Sequence, residues 1–346
     1  MLAGRWIATL ILVTVLAGGS PAKAGTVTYE LVPVGNPGNP NDSTGYGAVA
    51  NSFQIGKYEV TIGQYTDFLN AVARTDTYSL YNTNMGSALN IAGIARAGSS
   101  GSYTYSVMTN GGNSANRPIT YVSWFDAARF ANWMQNGQGS GSTETGAYTL
   151  GGATSGTAPA VNSGAQFYIP TENQWYKAAY YKGGSTNAGY WDYATQSDSA
   201  PGNTIGSGAN QANYYAGDYA VTQSAGFSGS QNYLTDVGDF TGSGSAYGTF
   251  DQSGNVWEWN DLTGAAGSSR GFRGGDWDLG AFGLSSFSGN TDVPSFEYFG
   301  VGFRLASPVA AAVPEIDPAT GGSALSLVAG VLAMIEQRRR RAALVA

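Results

Sequence analysis

Apolar residues recur on a helical period at three places in this chain. After Thr61 they fall at Ile62, Tyr65, Phe68, Leu69 and Val72, one face of a helix. Thr61 and Gln64, three residues apart, form a capping box that starts it. Ser123 starts a second helix running to about Met134, with Asp126 in the first turn, where the helix dipole favours an acid. Thr171 and Gln174 make another box, opening a third helix that ends before Gly183-Gly184. Shorter alternating stretches read as strands: Thr26–Val32, Phe53–Glu59, and about 255–260, 270–277 and 301–305. Between them, 137–164 and 197–245 are rich in Gly, Ser and Thr and read as long loops, which need a function or an ion to order them. No internal repeat and no second core is apparent, so one domain is expected.

Composition sharpens this picture. Glycine (51) and tyrosine (22) are abundant and charged residues make up only 11% of the 346, which fits a loop-rich fold. The chain has no histidine, which excludes a Ser-His-Asp triad and any imidazole-bound zinc, copper or iron. It has no cysteine either, so disulfides, thiolate metal sites and a cysteine nucleophile are excluded. Calcium and magnesium, which take oxygen ligands, stay open.

Both ends read as addresses. Residues 1–24 carry Arg5, an apolar run from Trp6 to Leu16 and Ala22-Lys23-Ala24 before Gly25, a secretory signal peptide with a small-x-small cleavage site. At the other end Val313-Pro314-Glu315-Ile316-Asp317-Pro318 precedes an apolar stretch, Gly321 to Ile335, and then Arg338-Arg339-Arg340-Arg341. As a helix that stretch covers about 22 Å, short of a hydrocarbon core of roughly 30 Å. The arginines hold the end in the cytoplasm. The layout of 313–346 resembles the PEP-CTERM sorting signal of Gram-negative bacteria, here with Pro-Glu-Ile in place of Pro-Glu-Pro. That resemblance implies an exosortase-type processing enzyme as partner, export across the inner membrane, and a destination at the cell surface, the outer membrane or outside. An ordinary tail anchor is the alternative. Without the two ends, 25–312 carries a net charge near −10. Such a surface repels nucleic acid and anionic lipid, so neither is expected as a partner, with the membrane met only through the C-terminal segment.

The densest motif is Gly254-Asn255-Val256-Trp257-Glu258-Trp259, a turn feeding a strand with both tryptophans on one face and Glu258 on the other. Arg273-Gly274-Gly275-Asp276-Trp277 and Gly302-Phe303-Arg304 follow it. Upstream, in order, come Lys57-Tyr58-Glu59-Val60-Thr61, the run Arg117 to Ala128 containing Val122-Ser123-Trp124, and Tyr168-Ile169-Pro170-Thr171-Glu172-Asn173-Gln174-Trp175. This ordered set resembles the formylglycine-generating enzyme, or sulfatase-modifying factor, family over about residues 50–306. The resemblance implies an α+β, C-type-lectin-like fold with little regular structure.

In active members two cysteines after the Arg-Gly-Gly segment bind copper and oxidise a substrate cysteine in sulfatases. Aligned backward from Gly302, the second falls near Ser286 and the first near Phe282 to Leu284, so no copper is expected and the family reaction reads as lost. The resemblance also implies structural calcium. One site maps onto Asp251, Gly254, Val256 and Glu258, although Glu258 has an alternative role as partner of a buried arginine such as Arg273 or Arg304. A second maps onto Asn213 and Tyr214, but its aspartate falls near Ala225.

The tryptophans of the motifs read as core. In the loops Tyr190, Trp191 and Tyr193, and Tyr214 with Tyr215, look exposed beside Asp and Asn, a composition that suits stacking on a sugar. The expected function is a non-catalytic binding module of the cell surface or matrix, with a polysaccharide or an envelope protein as partner. The alternatives are an enzyme with cysteine-independent chemistry, using Asp276 and Asp278, and a purely structural envelope protein.

Overall fold

The computed structural model describes residues 26–309, so the expected signal peptide and sorting segment lie outside the described residues. All three expected helices are present: α1 (Ile62–Val72), α3 (Trp124–Gln135) and α4 (Glu172–Tyr180), with α2 (Asn84–Ser87) a single added turn. Thr61, Ser123 and Thr171 each accept a backbone N–H from the third helical residue, whose side chain returns the bond to the cap. The apolar face of α1 meets α3 through a ring cluster. Phe68 stands edge-on to Phe130 at 5.4 Å and tilted against Trp133 at 5.4 Å, and Phe303 closes the cluster at 5.5 Å from Phe130.

Strands are short and divide among three sheets. β1 (Leu31–Val34), β2 (Phe53–Gly56) and β9 (Ala306–Pro308) form one antiparallel sheet. β3 (Ile94–Ala97) and β4 (Thr104–Val107) form a hairpin. β5 (Trp257–Asn260) lies between β6 (Arg270–Arg273) and the two-residue β8 (Val301–Gly302), with β7 (Asn290–Asp292) beyond β6. The result is an α+β, loop-rich architecture, as the sequence led us to expect.

Three departures have local causes. The first strand begins at Leu31 rather than Thr26, because the amide side chain of Gln138 captures both backbone groups of Val27 (2.6 and 2.8 Å). Of the stretch expected at 301–305 only Val301–Gly302 is a strand, and β9 begins beyond it. Between β8 and β9 the chain turns its carbonyls to other segments, Val60 N donating to Phe303 O (2.9 Å) and Gly56 N to Leu305 O (2.8 Å). The long loops contain no helix or strand of their own, and polar side chains order them. Asn132 donates to Thr143 O and Tyr148 O (2.6 and 3.0 Å), and Arg129 binds Glu144 (2.8 Å).

Candidate functional site

On β5, alternation does what the motif suggests. Trp257 and Trp259 both meet Phe272 edge-on, at 5.4 and 5.3 Å, while Glu258 faces the opposite way. There Arg304 donates Nε to Glu258 Oε2 (2.5 Å) and Nη2 to Oε1 (2.7 Å), and Trp175 Nε1 adds a third bond to Oε2 (2.8 Å). Both charged side chains are fully buried. Of the two readings of Glu258, the ion pair with an arginine is present, and the arginine is Arg304.

The residues mapped to calcium lie close together. Asp251, Gly254 and Asn255 all adopt positive φ (62°, 93° and 64°), which folds the loop tightly before β5. A Cβ on Gly254 would sit 2.3 Å from Asn213 O, and Asn255 N donates to that same oxygen (2.8 Å), so the two mapped sites abut. Asn213 spends its amide on Tyr233 O and Asn255 Oδ1 (2.9 Å each). Tyr214 is a correction: it is 5% exposed and its hydroxyl donates to Pro201 O, so it is no surface aromatic. Val256 packs among Ile91, Tyr233 and Trp277.

Asp251 accepts one bond, from Gly238 N (2.6 Å), and burial pushes its carboxyl up to about 6. Glu59 lies nearby, and burial together with the charge of Asp251 holds its carboxyl well above the ordinary value. Among the described residues no three acidic side chains gather closely enough to hold a metal by themselves. An ion here would lean on main-chain carbonyls, which a hard cation accepts. Chemically the donor set fits calcium, with Glu258 already neutralised by Arg304.

Residues 279–288, which include the positions that the resemblance assigns to the family's cysteine pair, are pinned from several sides. Its only regular element is one 3-10 turn, Ala281–Leu284. Tyr180 and Ser253 donate to Leu284 O (3.2 Å each), and Ser286 N donates to Asp192 O (2.8 Å). Arg273, stacked on Tyr46 and Tyr176 (4.4 and 4.9 Å), donates Nε to Glu172 (2.7 Å) and Nη1 to Ser286 O and Ser288 O (3.2 and 2.8 Å). Leu284 is buried, whereas Phe282 and Phe287 are 74% and 58% exposed.

The remaining loop aromatics gather around this segment, a grouping that sequence reasoning did not foresee. Tyr190 and Trp191 line a cleft of about 350 Å³ with Asn41, Asp42, Asp192, Ser286 and Phe287. Tyr193 packs at the Leu284 cluster and Tyr215 N donates to Leu279 O (3.0 Å). Trp191 Nε1 is a buried donor without a hydrogen-bond partner, and Lys182 Nζ sits 4.0 Å from the indole centre. Asp42 is already used, accepting Thr44 N and Oγ1 (2.7 and 2.5 Å) and the Tyr176 hydroxyl. Its Asp-x-Thr spacing is the sequence signal of that Asx turn.

Asp276 and Asp278 immediately precede this segment in the chain. Asp276 is 2% exposed, and burial pushes its carboxyl up to about 7. Its Oδ1 accepts Asp278 N (3.1 Å), and Asp278 in turn accepts the Tyr219 hydroxyl (3.0 Å).

Comparison with known proteins agrees with the motif order. Residues 16–309 match the sulfatase-modifying factor enzyme 1-like domain, and 313–343 match the VPEID-CTERM protein sorting domain. No curated protein matches the chain. Among solved structures, CarF aligns at 21% identity over 82% of this chain and 99% of its own, with a TM-score of 0.49. Treponema denticola variable protein 1 aligns at 18% over 82% and 97%, with a TM-score of 0.45. PvdO from Pseudomonas aeruginosa aligns at 17% over 81% and 92%, with a TM-score of 0.39. The sorting domain implies processing by an exosortase-type enzyme and points to export and surface association. The chain belongs to the sulfatase-modifying factor enzyme 1-like family.

Proposed function

We propose that this domain is a non-catalytic binding module of the cell surface or extracellular matrix, and that its ligand is a polysaccharide held in the Tyr190–Trp191 cleft. The observation that carries the reading is the cleft itself. Where active relatives place two cysteines, this chain has Ser286 against a space of about 350 Å³, walled by Tyr190, Trp191 and Phe287 and edged by Asn41 and Asp192. Aromatic faces stack on sugar rings, and amide, carboxylate and indole N–H groups bond hydroxyls. The acidic surface favours a neutral polysaccharide over an anionic one. Calcium near Asp251 is part of the same proposal, with a structural role in fixing the 251–256 loop beneath β5.

The test is a broad glycan array probed with residues 25–313, first with calcium and then with EDTA. Signal on a defined polysaccharide supports the reading. A blank array in both conditions overturns it and leaves an envelope protein as partner, or a structural role.

A second reading keeps an enzyme at this segment with chemistry that needs no cysteine. It is favoured by the buried carboxyl of Asp276, pushed up to about 7 by burial, so that a protonated fraction fit for a general acid persists at neutral pH. Against it, the neighbouring carboxylate of Asp278 is bonded to Tyr219.

A further inference from the structure

We propose that Glu59, rather than Glu258, supplies the second carboxylate of a divalent-cation site shared with Asp251. The inference rests on the calcium reading above and changes its ligands.

The argument is one of charge and partners. Glu59 lies between β2 and α1, is 1% exposed, and neither of its carboxylate oxygens has a hydrogen-bond partner. The nearest cation is Arg304, whose Nη2 is 3.6 Å from Glu59 Oε2, beyond hydrogen-bonding distance. That guanidinium has nothing left to give. Nε and Nη2 serve Glu258, Nη2 also serves Phe250 O (2.8 Å), and Nη1 serves Gly56 O and Lys57 O (2.9 and 3.3 Å). One arginine therefore faces two buried carboxylates, those of Glu59 and Glu258, and is committed to the second.

The backbone brings together the segments that carry Glu59 and Asp251. Phe250 N donates to Lys57 O (2.9 Å), pairing the segment before Asp251 with the one before Glu59. Gly238, whose N–H binds Asp251, packs against the Tyr58 ring so closely that a Cβ there would lie 2.7 Å from Tyr58 Cε1. A carboxylate buried without a donor must either take a proton or meet a cation. Such a group beside Asp251, which accepts a single bond, suits a divalent ion completed by carbonyl and water oxygens. A cleft of about 210 Å³ lined by Tyr29, Glu30, Tyr58, Glu59 and Gln64 lies on the Glu59 side.

The test is calorimetric titration of calcium chloride into the chelator-stripped full chain and its Glu59→Gln and Asp251→Asn variants, with melting curves in EDTA. The expected result is calcium binding by the wild type and at least a tenfold loss of affinity in either variant. In EDTA, Glu59→Gln should melt no lower than the wild type, because it removes an uncompensated charge. Calcium binding that survives Glu59→Gln but not Asp251→Asn overturns this inference and leaves the calcium reading standing. A wild type that binds no calcium overturns both. A Glu59→Gln chain that melts lower or fails to fold in EDTA also overturns the inference, since the charge would then be serving the apo fold.

Discussion

Ser286 donates its backbone N–H to the carbonyl of Asp192 at 2.8 Å, joining two loops almost a hundred residues apart in sequence. That bond places the segment occupying the family's cysteine positions against the loop that carries Tyr190 and Trp191. A cleft forms beside that segment, and its walls are aromatic and polar.

If the cleft binds through its walls, Phe287→Ala should weaken polysaccharide binding while leaving the fold intact. Phe287 is 58% exposed, so its removal opens no cavity and stability should change by less than about 0.5 kcal/mol. Affinity for an array-selected glycan and a urea melt on the same sample separate the two effects. A large loss of stability with unchanged affinity would count against the cleft.

Arg304→Ala should be severely destabilising. It strands Glu258 and Glu59 in the core without a cation, and removing one partner of a buried ion pair costs about 3–5 kcal/mol. Arg304→Lys should recover little, since an ammonium cannot reproduce the two-pronged bond to Glu258 together with the bonds to Gly56, Lys57 and Phe250. Urea midpoints of the two variants check this, and a mild effect in both would contradict the network.

Asp276 makes stability depend on pH in a defined direction. Its folded carboxyl is pushed by burial from 3.8 up to about 7, so folding takes up a proton between those values. Its contribution to stability is fully present below about pH 4, falls as pH rises, and reaches its minimum above about pH 7. Asp276→Asn, which mimics the protonated form, should therefore be more stable than the wild type near pH 8, on the order of 4 kcal/mol at most, with the gap closing toward pH 4. Melting curves at the two ends of this range decide it.

With neither cysteine nor histidine, the chain should form no formylglycine when residues 25–313 are incubated with copper and a Cys-x-Pro-x-Arg peptide. Mass spectrometry of the peptide reads the outcome directly, and any product would contradict the non-catalytic reading.

What was legible in the sequence is local. Thr61, Ser123 and Thr171 announce their helices because a cap and its return bond lie three residues apart. The hairpin β3–β4 went unread because its turn, from Gly98 to Gly101, sits in a Gly/Ser stretch that looks like any loop, although both glycines take φ near 90°. The burial of Tyr214 and the partners of Arg304 depend on contacts made across the whole chain, Gly56 lying 248 residues from Arg304. Glu59 shows the same limit: within Tyr58-Glu59-Val60 it looks like an ordinary helix lead-in, and only the fold reveals that its oxygens lack a partner. The loop aromatics were singled out by composition alone, and their common location around residues 279–288 is a property of the fold.

The most direct test of the binding account is the array signal of wild type against Trp191→Ala at equal concentration, with far-ultraviolet circular dichroism showing both folded. The account predicts a defined polysaccharide bound by the wild type and lost in the variant. Equal signal from both proteins would contradict it.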